Sequence, residues 1–371
     1  MGSGKGVRKV GYLDCAGGGQ VVVERDVAYV GNIRSPDGTS IVDVRDPKNP
    51  RLISHMGMVP GVHSHKVRVK NDIMLVNREI VSPNLADSSI SGGLGIYDVS
   101  NPQRPRLISE WLAAGKGVHR FDFDGEFAYL AATDEGYLDR FVRILDLRNP
   151  AAPVEVGRWW IPGQWTSGGE VPSWRGNAHK VHHPLRMGNR LYAGCWFGGL
   201  VILDIEDLAR PKLVSSLGWN AAFHCPTHTA LPVPFPVRGR RLMIATDEDV
   251  GRTDEKMPAF MWMVDITDEK HPVPFASFQV EAEDGTLRPP YTGCHQPCEK
   301  VTGTEISVAW FSHGLRIVDF ANPHAPKEVA WYLPDPAPGV PRVQSNDVTV
   351  DDRGLIYLID RIRGLHILER C

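Results

Sequence analysis

The sequence predicts an all-β protein, a seven-bladed β-propeller of four-stranded antiparallel blades forming one domain over residues 1–371. Three observations lead there. One segment recurs along the chain. Each copy sits among four strand signals. The two chain ends supply complementary parts of a single unit.

The recurring segment reads SIVDVRDPKNPRLIS at 40–54, GIYDVSNPQRPRLIS at 95–109 and RILDLRNPAAPVEVG at 143–157. It returns as VILDIEDLARPKLVS at 201–215, WMVDITDEKHPVPFA at 262–276, RIVDFANPHAPKEVA at 316–330 and, cut short, LHILERC at 365–371. Its anchors, Asp43, Asp98, Asp146, Asp204, Asp265, Asp319 and Glu369, lie 48 to 61 residues apart. Apolar alternation on either side of the anchor marks half-buried strands. The Asp/Asn-Pro-x-x-Pro that often follows is turn chemistry, because Asn and Asp tolerate tight turns and proline pre-sets φ. Upstream, VVVERDVAYVG (21–31), VRVKNDIMLVN (67–77) and FDFDGEFAYLA (121–131) read as hairpins with short turns. The last unit has three strands before Cys371, whereas VRKVGYL (7–13) precedes the first unit as a strand without a sheet. Residues 7–13 are therefore expected to complete the seventh blade and close the ring. The stretches 80–92, 161–177 and 249–259 read as loop insertions. The repeat argues against two separate β-sandwiches.

The VILDI and RIVDF segments with Asn-Pro-x-x-Pro resemble the LVIVD repeat. The resemblance covers nearly the whole chain and implies a propeller. It carries little about function, because one fold hosts many activities.

Composition narrows the class. The net charge is −3, with 41 basic and 44 acidic residues, so no basic surface calls for nucleic acid. No apolar run reaches the ~18 residues of a membrane span. The opening MGSGKGVRKVGYLDCAGGG lacks a signal-peptide core, and Lys5 and Gly6 fit poorly with a myristoylation signal. We expect a cytoplasmic protein whose six cysteines stay reduced.

Aligning the first strand of each unit brings out the chemistry. The heptads are GGGQVVV (17–23), HSHKVRV (63–69), GVHRFDF (117–123), NAHKVHH (177–183), PTHTALP (226–232), GCHQPCE (293–299) and QSNDVTV (344–350). Their third positions are Gly19, His65, His119, His179, His228, His295 and Asn346. Five of the chain's 14 histidines thus fall at one structural position, at the mouth of the central channel. A polar, water-filled channel is the plainer reading, but it has no need of imidazole. Neutral imidazole is the commonest metal ligand. We therefore expect three or four of His65, His119, His179, His228 and His295 to hold an ion, with the others orienting it or a substrate. Such a set suits transition metals over Mg or Ca. Iron is the first expectation, with copper, zinc or manganese as alternatives. By arrangement alone the ring is similar to that of carotenoid cleavage oxygenases, whose propeller holds iron with four axial histidines, and to the selenium-binding/methanethiol oxidase proteins. No stretch of sequence beyond the histidines matches them.

The fourth positions are polar throughout: Gln20, Lys66, Arg120, Lys180, Thr229, Gln296 and Asp347. Lys66, Arg120 and Lys180 would favour an anionic substrate if they reach the channel. Inter-blade hydrogen bonding is the alternative. On the rim loops, Glu79 and Asp247 are candidate acid/base groups, with His63 beside them. Asn346, Trp196, Trp310 and His313 are candidate substrate contacts. His182, His183 and His224 flank the ring as weaker ligand candidates. Cys225, Cys294 and Cys298 lie near ring histidines, but the spacing is not that of a zinc finger.

Two functions follow from a metal on the axis. The first is an oxidoreductase, including an oxygenase, acting on a small organic, anionic substrate. The second is a hydrolase or lyase using metal-bound water. A non-catalytic propeller scaffold is the third reading.

Overall fold

The computed structural model describes residues 2–15, 17–81, 90–219, 222–250, 259–280 and 293–371. All of its sheets are antiparallel, and the recurring plan is four strands in sequence order. The set Gly18–Glu24, Val27–Asn32, Asp37–Asp43 and Arg51–Gly57 shows it plainly. The set Val118–Phe123, Phe127–Ala132, Phe141–Asp146 and Val154–Trp159 repeats it. Two such sets, 179–217 and 227–278, join into one eight-stranded sheet through a single pairing of Trp196 with Thr227. Among the described residues no helix is long and apolar enough to cross a membrane.

The repeated Asp has a local cause. Its carboxylate accepts the backbone N–H two residues on, at 2.8–3.1 Å, in Asp43, Asp98, Asp146, Asp204, Asp265 and Asp319. This Asx-turn ends the third strand and aims the chain into the next. A second Asx-turn follows three residues later at Asp46, Asn101, Asn149, Asp207 and Asp268. Glu369, one carbon longer, sits inside its strand instead.

The N-terminal stretch joins two sheets. Val7–Asp14 pairs with Gly364–Arg370, Val7 opposite Arg370 and Asp14 opposite Gly364. The preceding Ser3–Lys5, not anticipated, pairs with the edge of a different sheet, at Leu333, Tyr332 and Trp331. Of the three expected insertions, 161–177 is a loop with a 3₁₀ turn at Thr166–Gly168. Residues 82–89 and 251–258 of the other two lie outside the described residues.

The core fills the spaces between neighbouring sheets. Ile244 and Met263 of one sheet, for example, share a cluster with Ile306, Val308, Trp310 and Phe320 of the next. Burying such side chains contributes roughly 1.5–3 kcal/mol each.

In five sets the first strand departs from regular pairing at one place. In Gly18–Glu24 the pairing skips Gly19, and in Val118–Phe123 it skips His119. It skips His228 in Thr227–Pro232 and Asn346 in Ser345–Val350. Each skipped residue is the extra member of a β-bulge, a device that re-aims a side chain. In His179–Met187 the skip is longer. His179 faces Trp196, and the next paired residue is His183, facing Gly194. Three residues, Lys180 to His182, thus stand where the other strands have one. This moves the ring position from His179 to His182.

Candidate functional site

The bulges deliver a continuous arc of imidazoles. Ring centroids lie 4.9 Å apart for His65–His119, 4.8 Å for His119–His182, 4.5 Å for His182–His228 and 4.2 Å for His228–His295. They line a cavity of about 200 Å³ together with Ile33, Lys66, Arg120, Arg140, Trp196, Glu248, Asn346 and Arg361. The first set contributes Gly19 because there is no room for a side chain. A Cβ there would come within 2.6 Å of the His65 carbonyl oxygen.

His179 is not part of this arc. It is stacked on Trp174 with centroids 4.7 Å apart, outside the cavity. Lys180 is likewise diverted, its Nζ 2.9 Å from Asp139. Both displacements follow from the long bulge.

Hydrogen bonds at Nδ1 set the chemistry of each imidazole. His119 donates to Glu79 Oε2 at 2.6 Å, His182 to the His228 carbonyl at 3.1 Å and His228 to Thr229 Oγ1 at 2.6 Å. His295 donates to the Asn346 carbonyl. Each of the four then keeps a lone pair on Nε2. His65 is the opposite case. The Asn77 amide is oriented by the Lys66 N–H (2.7 Å) and the Val118 carbonyl (3.0 Å), so its Nδ2 donates to His65 Nδ1 at 3.3 Å. His65 therefore carries its proton on Nε2. Burial holds His65, His119, His182, His228 and His295 well below the usual imidazole range, so they stay neutral.

Two groups of side chains gather metal-type donor atoms within 4.8 Å of one another: His182, His228 and Glu248, and His63, His65 and Glu79. They differ in what is already satisfied. Glu79 is taken up by His119 and by Arg140 NH1 at 3.2 Å, so it orients its neighbours. His228 Nε2, by contrast, is buried without a hydrogen-bond partner among the described residues. The nearest carboxylate is Glu248, 4.0 Å from His228 Nε2 and 3.7 Å from His295 Nε2. Burial pushes Glu248 above the usual carboxylate range. The Nε2 atoms of His119 and His182 lie 3.0 Å apart. Three neutral nitrogens and a carboxylate around an unsatisfied buried nitrogen fit a borderline-soft divalent ion.

The remaining expected residues divide. Lys66, Arg120, Asn346 and Trp196 line the cavity. Asp247 does not. It is fully buried and accepts from Trp262 Nε1 (2.6 Å), Trp219 Nε1 (3.1 Å) and Thr227 Oγ1 (3.2 Å), and burial pushes it up to about 8. Its chain neighbour Glu248 takes the place at the cavity. Trp310 belongs to the core, while the next residue, Phe311, stacks on His295 at 4.5 Å. Trp196 packs on His182 in the same way at 4.7 Å, and both aromatics have a positive φ. His313 gives its carbonyl to Arg316 and is not in the cavity lining. His63 is half-buried beside His65. Cys294 and Cys298 are buried thiols, Cys298 pushed up to about 12 by burial.

Below the histidines lies a second polar layer: Gln20, Lys66, Arg120, His183, Thr229, Gln296 and Asp347, all buried. Arg120 reaches across the channel to Gln296 Oε1 at 2.8 Å and His183 Nδ1 at 3.2 Å. One level further, Glu299 accepts from Arg68, from His183 Nε2 (3.2 Å) and from Gln296 Nε2 (3.0 Å). These bonds tie the layer below the histidines into a floor.

The LVIVD repeat model matches residues 122–160, 187–217 and 301–333, so the chain carries LVIVD repeats. No curated protein matches the sequence. Solved propellers are similar in fold. U3-55K superposes with a TM-score of 0.63 at 9% identity, over 98% of each chain. The RRP9 WD40 repeats give 0.62 at 10% identity, over 98% of this chain and 97% of theirs. Raptor from Chaetomium thermophilum gives 0.63 at 15% identity, over 98% of this chain and 29% of its own. At such identities the likeness concerns the β-propeller fold alone.

Proposed function

We propose that this LVIVD-repeat chain is a seven-bladed ring, closed by residues 7–14 on the strand 364–370, and that it is a metal-dependent enzyme. His182, His228 and Glu248 would hold a transition metal, flanked by His119 and His295. One observation carries the reading: a buried His228 Nε2 with no hydrogen-bond partner among the described residues, inside an arc in which four neutral imidazoles tie Nδ1 to acceptors. A polar channel filled with water would not need four rings with the same tautomer.

Oxidoreductase chemistry on a small organic substrate is the favoured class, with iron as the first candidate and copper, zinc or manganese behind it. A redox-active ion there would supply one-electron chemistry beside a cavity that admits a small molecule. The protein's own contribution is orientation. Thr229 fixes the His228 ring, the His228 carbonyl fixes His182, Phe311 backs His295, and Trp196 walls the cavity. Arg120, Gln296 and Glu299 brace the layer beneath the histidines.

A second reading, a hydrolase or lyase, is favoured by the Glu79–His119 pair, a carboxylate bonded at 2.6 Å to an imidazole at the cavity wall. That pair can take and hold a proton.

Elemental analysis of purified protein separates these. Iron or copper near one ion per chain supports the first reading, and zinc or manganese the second. Changing His228 to alanine should abolish the bound ion. Protein that carries no ion and cannot be reconstituted overturns both.

A further inference from the structure

Lys66 sits one residue after His65, in the layer just below the histidines, and its side chain lines the cavity. It is 2% exposed. Among the described residues none accepts a hydrogen bond from its Nζ. The nearby charges make this costly. Arg120, Arg140 and Arg361 also line the cavity, against Glu248 as its one lining carboxylate among the described residues. Arg140 is answered by Glu79, Arg120 by Gln296 and His183, and Arg361 by Asn346 Oδ1 at 2.6 Å. Lys66 has no such hydrogen-bond or ion-pair partner among the described residues: Asp347 and Glu299 oppose its charge only from a distance, and burial weakens its hold on its proton.

We propose that Lys66 is the anchor for the carboxylate of a small organic acid, the substrate class of the axial cavity. This rests on the proposed function for what happens at the other end of the molecule, but not for its capture. A carboxylate placed between Lys66, Arg120 and Arg361 supplies a close countercharge and the missing acceptor together. The volume of about 200 Å³ limits it to a few carbon atoms, below the roughly 300 Å³ of drug-sized sites. Trp196 and Ile33 offer apolar surface for a short carbon chain. A neutral molecule of the same shape would leave the ammonium unanswered and be rejected.

The probes are malonate, its neutral diamide malonamide, and inorganic phosphate. Binding is read by calorimetry and by the shift of the unfolding midpoint. The measurements use the protein as purified and after removal of metal by a chelator. We expect malonate to bind and stabilise both forms, malonamide to do neither, and Lys66→Met to weaken malonate at least tenfold in the stripped protein. Equal binding of malonate and malonamide to wild type overturns the proposal, and that comparison needs no variant to fold. So does a Lys66→Met protein, folded by circular dichroism, that binds malonate as wild type does. Phosphate binding more tightly than malonate also overturns it, because the site would then read a tetrahedral oxyanion. Metal content measured on the same samples keeps the two ideas apart. Malonate capture by a chain that never takes up metal refutes the metal centre and leaves the anchor standing.

Discussion

Changing Glu299 to glutamine tests whether the channel floor is held by charge. The Glu299 carboxylate is the shared acceptor for Arg68, His183 Nε2 at 3.2 Å and Gln296 Nε2 at 3.0 Å. Glutamine keeps one oxygen and puts an amide N–H₂ against a donor. Arg68 then loses its main counter-ion while its own side chain is only 14% exposed. Breaking a buried ion pair by removing one partner costs about 3–5 kcal/mol. With Glu299 itself 19% exposed, the lower end applies, about 3 kcal/mol. The pH dependence has a definite sign. Arg68 and His183 hold the Glu299 carboxyl far below its usual range against the effect of burial. Its contribution is therefore full above the ordinary glutamate value of about 4.5 and fades as pH falls below it. Urea denaturation followed by tryptophan fluorescence should show the variant about 3 kcal/mol weaker at pH 7, with the gap closing toward pH 3. A double variant, Arg68→Met with Glu299→Leu, should cost at least 1 kcal/mol less than the two single changes summed, roughly the coupling expected of neighbours. A Glu299→Gln protein within about 0.5 kcal/mol of wild type at pH 7, or a gap that does not close in acid, would refute the argument.

Two further predictions concern the histidine arc. His182→Ala should remove the bound ion, whereas His179→Ala should leave metal content unchanged; the reverse result would restore the unbulged register. Thr229→Val removes the acceptor for His228 Nδ1 and should weaken metal affinity about 10–100-fold in a competition titration with a chromophoric chelator. An unchanged affinity would mean that His228 is not a ligand.

Much of the fold was legible because its causes are local. The anchor aspartates recur since six of them make the same turn with the residue two places on, a requirement that survives changes around it. The axial position was legible for His65, His119, His228 and His295, where the apolar alternation of the strand holds. It failed at His179 because a bulge two residues longer than the others cannot be seen in an ungapped comparison. A signal did exist. Glu24 faces Val27, Lys70 faces Ile73 and Met187 faces Arg190 across two-residue turns, and Asp124 bonds Phe127 likewise. Counting back five residues from each turn gives Gly19, His65, His182 and His119. Hairpin turns pin register more firmly than heptad matching does. Glu248, Arg140 and Arg361 had no such signal. They come from loops and strand ends whose side chains meet only once the sheets are arranged around the cavity. Asp247 and Glu248 exchange roles through strand alternation, one side chain passing under the indoles and the other into the cavity.

The pairing of Val7–Asp14 with Gly364–Arg370 also has a consequence in time. On a ribosome the first of these strands emerges about 350 residues before its partner. At the usual 5–20 residues per second that is an interval of about 20–70 s. Throughout it, a strand carrying Val7, Val10, Tyr12 and Leu13 has an open hydrogen-bonding edge, the kind of surface that recruits other chains. Its charged residues, Arg8, Lys9 and Asp14, stand at positions suited to keep that edge solvated. Of the strand pairings described, this one waits longest, and a chaperone that binds open strand edges would have the most time to find this strand.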